Sequence, residues 1–178
     1  MILIAMVALG AAEPGAVEHR EIGSAVPRGL RLGVSYVQRV PDDLDSTGGL
    51  GTGLWAAYEY QVSDRTALGI HFGGRLFSRG DRIGQVGYGL TLRHGFRWGE
   101  LAQPYLLYGL LVQSTQIQGS SSYTTSHNTM LGAGLEGQNI LDGTFIQASY
   151  NLSRLRFFDV ATQNASFIEL TVGYHWRF

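Results

Sequence analysis

From Gly29 to the last residue, apolar side chains recur at every second position, broken only by polar stretches. Leu30, Leu32, Val34 and Tyr36 alternate with Arg31, Gly33 and Ser35, and Leu54, Ala56, Tyr58, Tyr60 and Val62 alternate with Trp55, Ala57, Glu59 and Gln61. Leu68 to Leu76 forms a third run, Val86 to Trp98 a fourth, Leu106 to Val112 a fifth, Leu131 to Leu135 a sixth, Ile146 to Leu152 a seventh and Ile168 to Phe178 an eighth. A period of two sends neighbouring side chains to opposite faces of a strand, so the pattern predicts eight strands, each apolar on one face. Polar loops are expected at Pro41 to Gly49, Thr115 to Asn128 and Arg154 to Asn164, with a weaker one at Ser78 to Asp81. They alternate with short turns at Ser63 to Arg65, around Gly99 and Glu100, and at Asn139 to Gly143.

The opposite face carries the charge: Arg31, Glu59, His71, Arg75, Arg93, Arg97, Glu136, Glu169, His175 and Arg177 all fall on it. A soluble barrel buries its apolar face and turns such charges to water. The inverse arrangement suits strands near the ~9 to 11 residues that a tilted membrane strand needs, and alternating long loops and short turns are its usual asymmetry. Glu169 to Phe178 points the same way, because Ile168, Leu170, Val172, Tyr174, Trp176 and Phe178 share a face that thickens into aromatics. This ending resembles the closing strand of bacterial outer-membrane barrels, and Gly173-x-x-Trp176-x-Phe178 is similar to that family's C-terminal assembly signal. The resemblance, to the OmpX, OmpA-domain and PagL group, implies an eight-stranded antiparallel up-and-down transmembrane β-barrel. It also implies contact with the barrel-assembly machinery during insertion, a Gram-negative outer-membrane location and both termini in the periplasm. Aromatic girdles are then expected from Tyr60, Phe96, Trp98, Trp176 and Phe178 at one rim and from Tyr36, Phe77, Phe157 and Phe158 at the other. Eight strands leave a lumen only wide enough for side chains, so the charged set is expected to interlock as a plug and no open pore is expected.

Composition narrows the reading further. The 178 residues are 44% hydrophobic and 15% charged, which suits a single folded domain. A net charge of −1 with its 13 basic residues dispersed leaves no stripe for nucleic acid. Cysteine is absent, which excludes thiol chemistry and disulfides. Met1 to Ala12 is an apolar run of signal-peptide length ending in small residues, although no basic residue precedes it. Glu13 to Arg28 reads as a short periplasmic arm, leaving 29–178 for the barrel.

Small barrels include lipid-modifying enzymes, which makes hydroxyl and imidazole groups near the rim candidate catalysts. Ser126, His127 and Thr129 are candidates for a nucleophile and base, but no carboxylate stands in an obvious place to orient the histidine. Between Pro104 and Leu152, Leu131-Gly-Ala-Gly-Leu135 and Phe145-Ile-Gln-Ala-Ser-Tyr-Asn151 resemble lipid A deacylase barrels. At the places of that family's histidine and serine this chain has Ser149 and Asn151, so the resemblance implies scaffold without activity. His94 is expected on the apolar face near the lower rim. No spacing of His71, His175, Glu59 and Glu169 suggests a metal site, and no cofactor is expected. The expectation is a monomeric, non-enzymatic envelope component. Its partners would be outer-membrane lipid, lipopolysaccharide and an envelope protein met through the loops. The alternatives are a lipid A or phospholipid hydrolase and a soluble lipid-binding barrel.

Overall fold

The structure, a computed structural model, describes residues 28–40, 49–77, 83–96, 101–117, 123–138, 142–157, 160–164 and 166–178. These form β1 (Arg28–Arg39), β2 (Leu50–Ser63), β3 (Thr66–Phe77), β4 (Ile83–Gly95), β5 (Ala102–Ile117), β6 (Tyr123–Gly137), β7 (Thr144–Phe157), β8 (Val160–Asn164) and β9 (Phe167–Arg177). Every pairing is antiparallel, and the ring closes because β1 pairs with β9 and β6 with β7. Eight strands make the wall; β8 pairs only with the outer part of β7.

The register sets the shape. Stepping across paired residues from Gly29 gives Glu59, Gly69, Thr91, Gly109, Met130, Asn151 and Phe167. The path then re-enters β1 at Arg39, ten residues beyond its start. A stagger of ten over eight strands tilts the strands by about 40° from the barrel axis. Arg28 and Phe178 exchange backbone hydrogen bonds of 3.0 and 2.9 Å at what we call the terminal end. The short turns lie at this end. In one, the Ser63 hydroxyl accepts from the Arg65 and Thr66 amides at 3.4 and 3.2 Å; in another, Gly143 takes the left-handed φ of 80° that glycine tolerates best.

The alternation sorts the side chains as the pattern predicts. Leu32, Val34, Leu54, Ile70, Leu90, Leu110, Leu131, Ile146, Leu170 and Val172 all stand exposed on the outer wall, with Leu90 at 66%. Arg31 on the opposite face is 1% exposed. Tyr36, Tyr60, Phe96, Trp176 and Phe178 are outward and exposed. Trp98, Arg97 and Phe158 lie outside the described residues, as do the side chain of Phe157, Met1 to Pro27 and the loop at Pro41 to Gly48.

Three expectations need correction. Phe77 does not join the outer girdle: Leu76 points outward, so its neighbour must point inward, and Phe77 is 2% exposed against Val37 and Phe167. The loop expected from Thr115 to Asn128 is largely strand, because β5 runs to Ile117 and β6 opens at Tyr123. Its Ser and Thr residues read as loop for their polarity, yet Ser114↔Thr125 and Gln116↔Tyr123 continue the ladder. Likewise the loop expected from Arg154 to Asn164 contains a hairpin, β7 with β8.

The lumen holds more apolar volume than a polar plug implies. Tyr105, Leu107, Leu111 and Met130 pack together, as do Trp55, Ala57 and Phe145, while Val37, Phe77 and Phe167 with Ile83 fill the distal end. Glycines on adjacent strands make room for the rings: a Cβ on Gly134 would lie 2.5 Å from Tyr105 Cζ and 2.6 Å from the Ile146 carbonyl. Gly134→Val is therefore expected to lower the denaturant midpoint of refolded barrel by about 1–3 kcal/mol of stability, the usual cost of overpacking. Combined with Tyr105→Ala, the loss should be smaller than the sum of the two single losses, as a double-mutant cycle would register.

Candidate functional site

Inward positions that carry charge must pair, because an isolated ion in this interior would be very costly. The pairs sort by height into two groups, an order fixed by the strands: along β9, His175 lies nearest the terminal end, then Thr171, Glu169 and Phe167. In the lower group, Glu59 receives Arg93 (Nη2 to Oε2, 2.8 Å; Nε to Oε2, 2.9 Å) and Arg31 (Nη1 to Oε1, 3.4 Å). The other end of the Arg31 guanidinium donates to the Tyr105 hydroxyl at 2.6 Å, which donates to Gln147 Oε1 at 3.2 Å. Arg31 also lies over the Phe145 ring, 4.0 Å from its centroid. Glu136 pairs with His175 Nδ1 at 2.9 Å, with Arg93 Nη1 at 3.4 Å and with Arg177. Arg177 reaches on to Asp142 at 3.5 Å.

The upper group is smaller and tighter. Arg75 grips Glu169 with two nitrogens, Nη2 to Oε2 at 2.6 Å and Nε to Oε1 at 3.2 Å, and the Ser35 hydroxyl donates to Oε1 at 2.6 Å. Such a two-pronged, charge-assisted contact fixes geometry as well as energy. Between the groups, Trp55 donates from Nε1 to Thr171 Oγ1 at 3.1 Å and stacks on His71 with centroids 5.2 Å apart. Beside the upper group runs an amide row in which Ser126 donates to Asn128 Oδ1 at 3.1 Å and Asn128 donates to Gln113 Oε1.

Of the charged residues read from the sequence, Arg31, Glu59, Arg93, Glu136, His175 and Arg177 meet in one network and Arg75 and Glu169 in another. His71 stands apart as an aromatic neighbour of Trp55. The reading missed Ser35, Trp55, Tyr105, Gln113, Asn128, Gln147 and Thr171 as network members. Parity alone gives their inward direction: each but Asn128 follows or precedes an outward apolar residue, and Asn128 stands two positions from the inward Met130. Ser126 is buried in the lumen while His127 is exposed on the outer wall. Adjacent strand residues face opposite ways, so these two cannot form a nucleophile and base; Thr129 shares the outer face with His127. Among the described residues no group of three His, Asp or Glu is arranged for a metal ion. Gly173, Trp176 and Phe178 lie at the end of β9, with Trp176 edge-on to Tyr174 at 4.7 Å. At the terminal mouth a cavity of about 210 Å³ opens between the lower network and the turns.

No family model and no curated sequence matches the chain. Solved structures do match. Neisserial surface protein A aligns with a TM-score of 0.62 at 16% identity, over 85% of this chain and 97% of its own. Ail, the attachment invasion locus protein of Yersinia pestis, aligns with a TM-score of 0.51 at 19% identity, over 86% and 99%. The outer membrane enzyme PagL aligns with a TM-score of 0.52 at 15% identity, over 80% and 97%. The fold is that of the small eight-stranded outer-membrane barrels. Within such a barrel the outward apolar wall and the inward charged network are the expected division of faces.

The upper pair gives a direct test of the network. Arg75→Met leaves Glu169 buried without its cation and should cost about 3–5 kcal/mol in the unfolding midpoint measured in detergent micelles. Arg75→Met with Glu169→Leu removes both charges and should recover most of that loss.

Proposed function

We propose that this chain is an integral outer-membrane barrel without catalytic activity and without an open pore, a membrane scaffold that presents its distal hairpins and loops to lipopolysaccharide or to an envelope partner. The observation that carries the reading is the inverted distribution of polarity. Side chains such as Leu54 at 67% and Leu90 at 66% exposure cover the outside, while Arg31, Glu136 and Glu169 lie within 2% of complete burial inside. Water would disfavour that outer wall, and a hydrocarbon layer favours it. Closure suits the same environment, since a bilayer tolerates no unpaired sheet edge.

The closed lumen is supported by side chains at each level: ion pairs near the terminal end, Trp55 and Phe145 with Leu107 and Met130 above them, Arg75 with Glu169, and Val37, Phe77 and Phe167 at the top. Short turns at the terminal end and longer connections at the distal end favour periplasmic termini. On this reading Gly173, Trp176 and Phe178 are offered to the assembly machinery, and Met1 to Ala12 directs export. The competing hydrolase reading has His127 and Thr129 on one outer face, with no orienting carboxylate beside them among the described residues.

Fractionated outer membranes and a gel of boiled against unboiled protein test the proposal. A faster unboiled band in the membrane fraction is expected, and a soluble protein with no shift would sink the bilayer reading. Within the barrel, Leu90→Arg should destabilise by about 2–4 kcal/mol in lipid, the cost of a cation at mid-membrane. His127→Ala should leave the lipid profile of the envelope unchanged; lost deacylated lipid would revive the hydrolase.

A further inference from the structure

One cluster on the outer wall belongs to neither lumen network. Thr66 and His94 are cross-strand partners on β3 and β4, and Thr66 Oγ1 shares a hydrogen bond of 2.9 Å with His94 Nδ1. His94 meets Phe96 edge-on, with centroids 5.1 Å apart. A neutral imidazole that accepts from Thr66 at Nδ1 carries its proton on Nε2, leaving a donor on the outer wall. Arg65 in the adjoining turn is held in place, because its carbonyl accepts from the Gly95 amide at 2.7 Å.

Along β3 and β4 the aliphatic side chains end here. The next cross-strand pair on the same face is Leu68↔Leu92, both exposed, while toward the terminal end come hydroxyl, imidazole and guanidinium. Around the rim, Arg65 and Thr66 also line the terminal cavity of about 210 Å³, together with Arg28 and Arg177. Its lining holds four arginines, Arg28, Arg65, Arg93 and Arg177, against two carboxylates, Glu59 and Asp64, and Glu59 is already shared by Arg31 and Arg93. Arg93 and Arg177 are paired in turn with Glu136, while Arg65 stands exposed in the turn at the cavity's edge.

We infer that Arg65 and His94, the imidazole held by Thr66, bind the phosphate of a glycerophospholipid in the leaflet at the terminal end. The acyl chains would lie along Leu68 and Leu92, and the polar head would turn into the arginine-lined cavity. This rests on the bilayer reading proposed above. Arg65 supplies a charge-assisted contact, His94 Nε2 a second donor, and the ring of Phe96 sits at the height where an aromatic edge meets headgroups. Recognition is of the phosphate, so phosphatidylglycerol and phosphatidylethanolamine are both ligands and diacylglycerol is not.

The test is native mass spectrometry of the full chain in detergent, titrated with phosphatidylglycerol, phosphatidylethanolamine, diacylglycerol or inorganic phosphate. Arg65→Gln with His94→Leu is expected to weaken retention of both phospholipids by about tenfold, the scale of one charge-assisted contact. Arg39→Gln at the distal end should leave it unchanged. Unaltered retention in the double variant would overturn the inference, as would equal binding of diacylglycerol or displacement of lipid by equimolar inorganic phosphate. Heat-modifiability of each protein separates the causes. A shifted band with unaltered retention defeats this site alone, whereas a wild-type protein without a shift defeats the bilayer reading and this site together.

Discussion

The ladder between the first and last strands is the constraint on which the rest depends. Gly29 to Arg39 pairs with Phe167 to Arg177 without a break, joining chain segments more than a hundred residues apart. Without that seam, β1 and β9 would each present a row of unpaired amides and carbonyls, an edge that neither water-borne neighbours nor a bilayer leaves alone. The seam also fixes the stagger, and the stagger decides which side chains share a level in the lumen. Arg31 can reach Glu59 and Tyr105 together only because the tilted strands bring β1, β2 and β5 to one height. A slip of one residue at the seam would turn every charge of β9 outward into the apolar wall.

The lumen answers the charges by pairing and by layering. Glu59 and Glu136 are each shared among several cations, so the loss of one partner would not strand either acid. Glu169 has Arg75 as its ion-pair partner and leans on Ser35, which makes the upper pair the more brittle of the two. Aromatic rings share the load, with Phe145, Tyr105 and Trp55 around the Arg31 guanidinium and Phe167 beside Arg75.

Strand number, facing and closure were legible because they follow from local parity: Leu30 outward forces Arg31 inward whatever the partner strand. Parity also contained Phe77, whose inward direction follows from Leu76, but its aromatic character suggested a girdle and misled. Partner choice was not legible. Arg75 and Glu169 are separated by 94 positions, and only the closed register brings them together. The β5 and β6 extensions were hidden for a different reason. Above the apolar belt a strand has no buried outer face, so Ser114, Gln116, Thr125 and His127 carry the polarity of a loop on a backbone that is still paired. The Thr66 and His94 contact lay equally beyond a linear reading, since it joins a turn-flanking residue to the end of another strand.

Between the two ion-pair groups the lumen is filled by Trp55 and Leu107 together with Thr171 and His71. Each group brings cations and carboxylates together at its own height on the strands. Two sets of pairs at separate heights hold the wall as two hoops hold a cask, so the loss of one leaves the other in place.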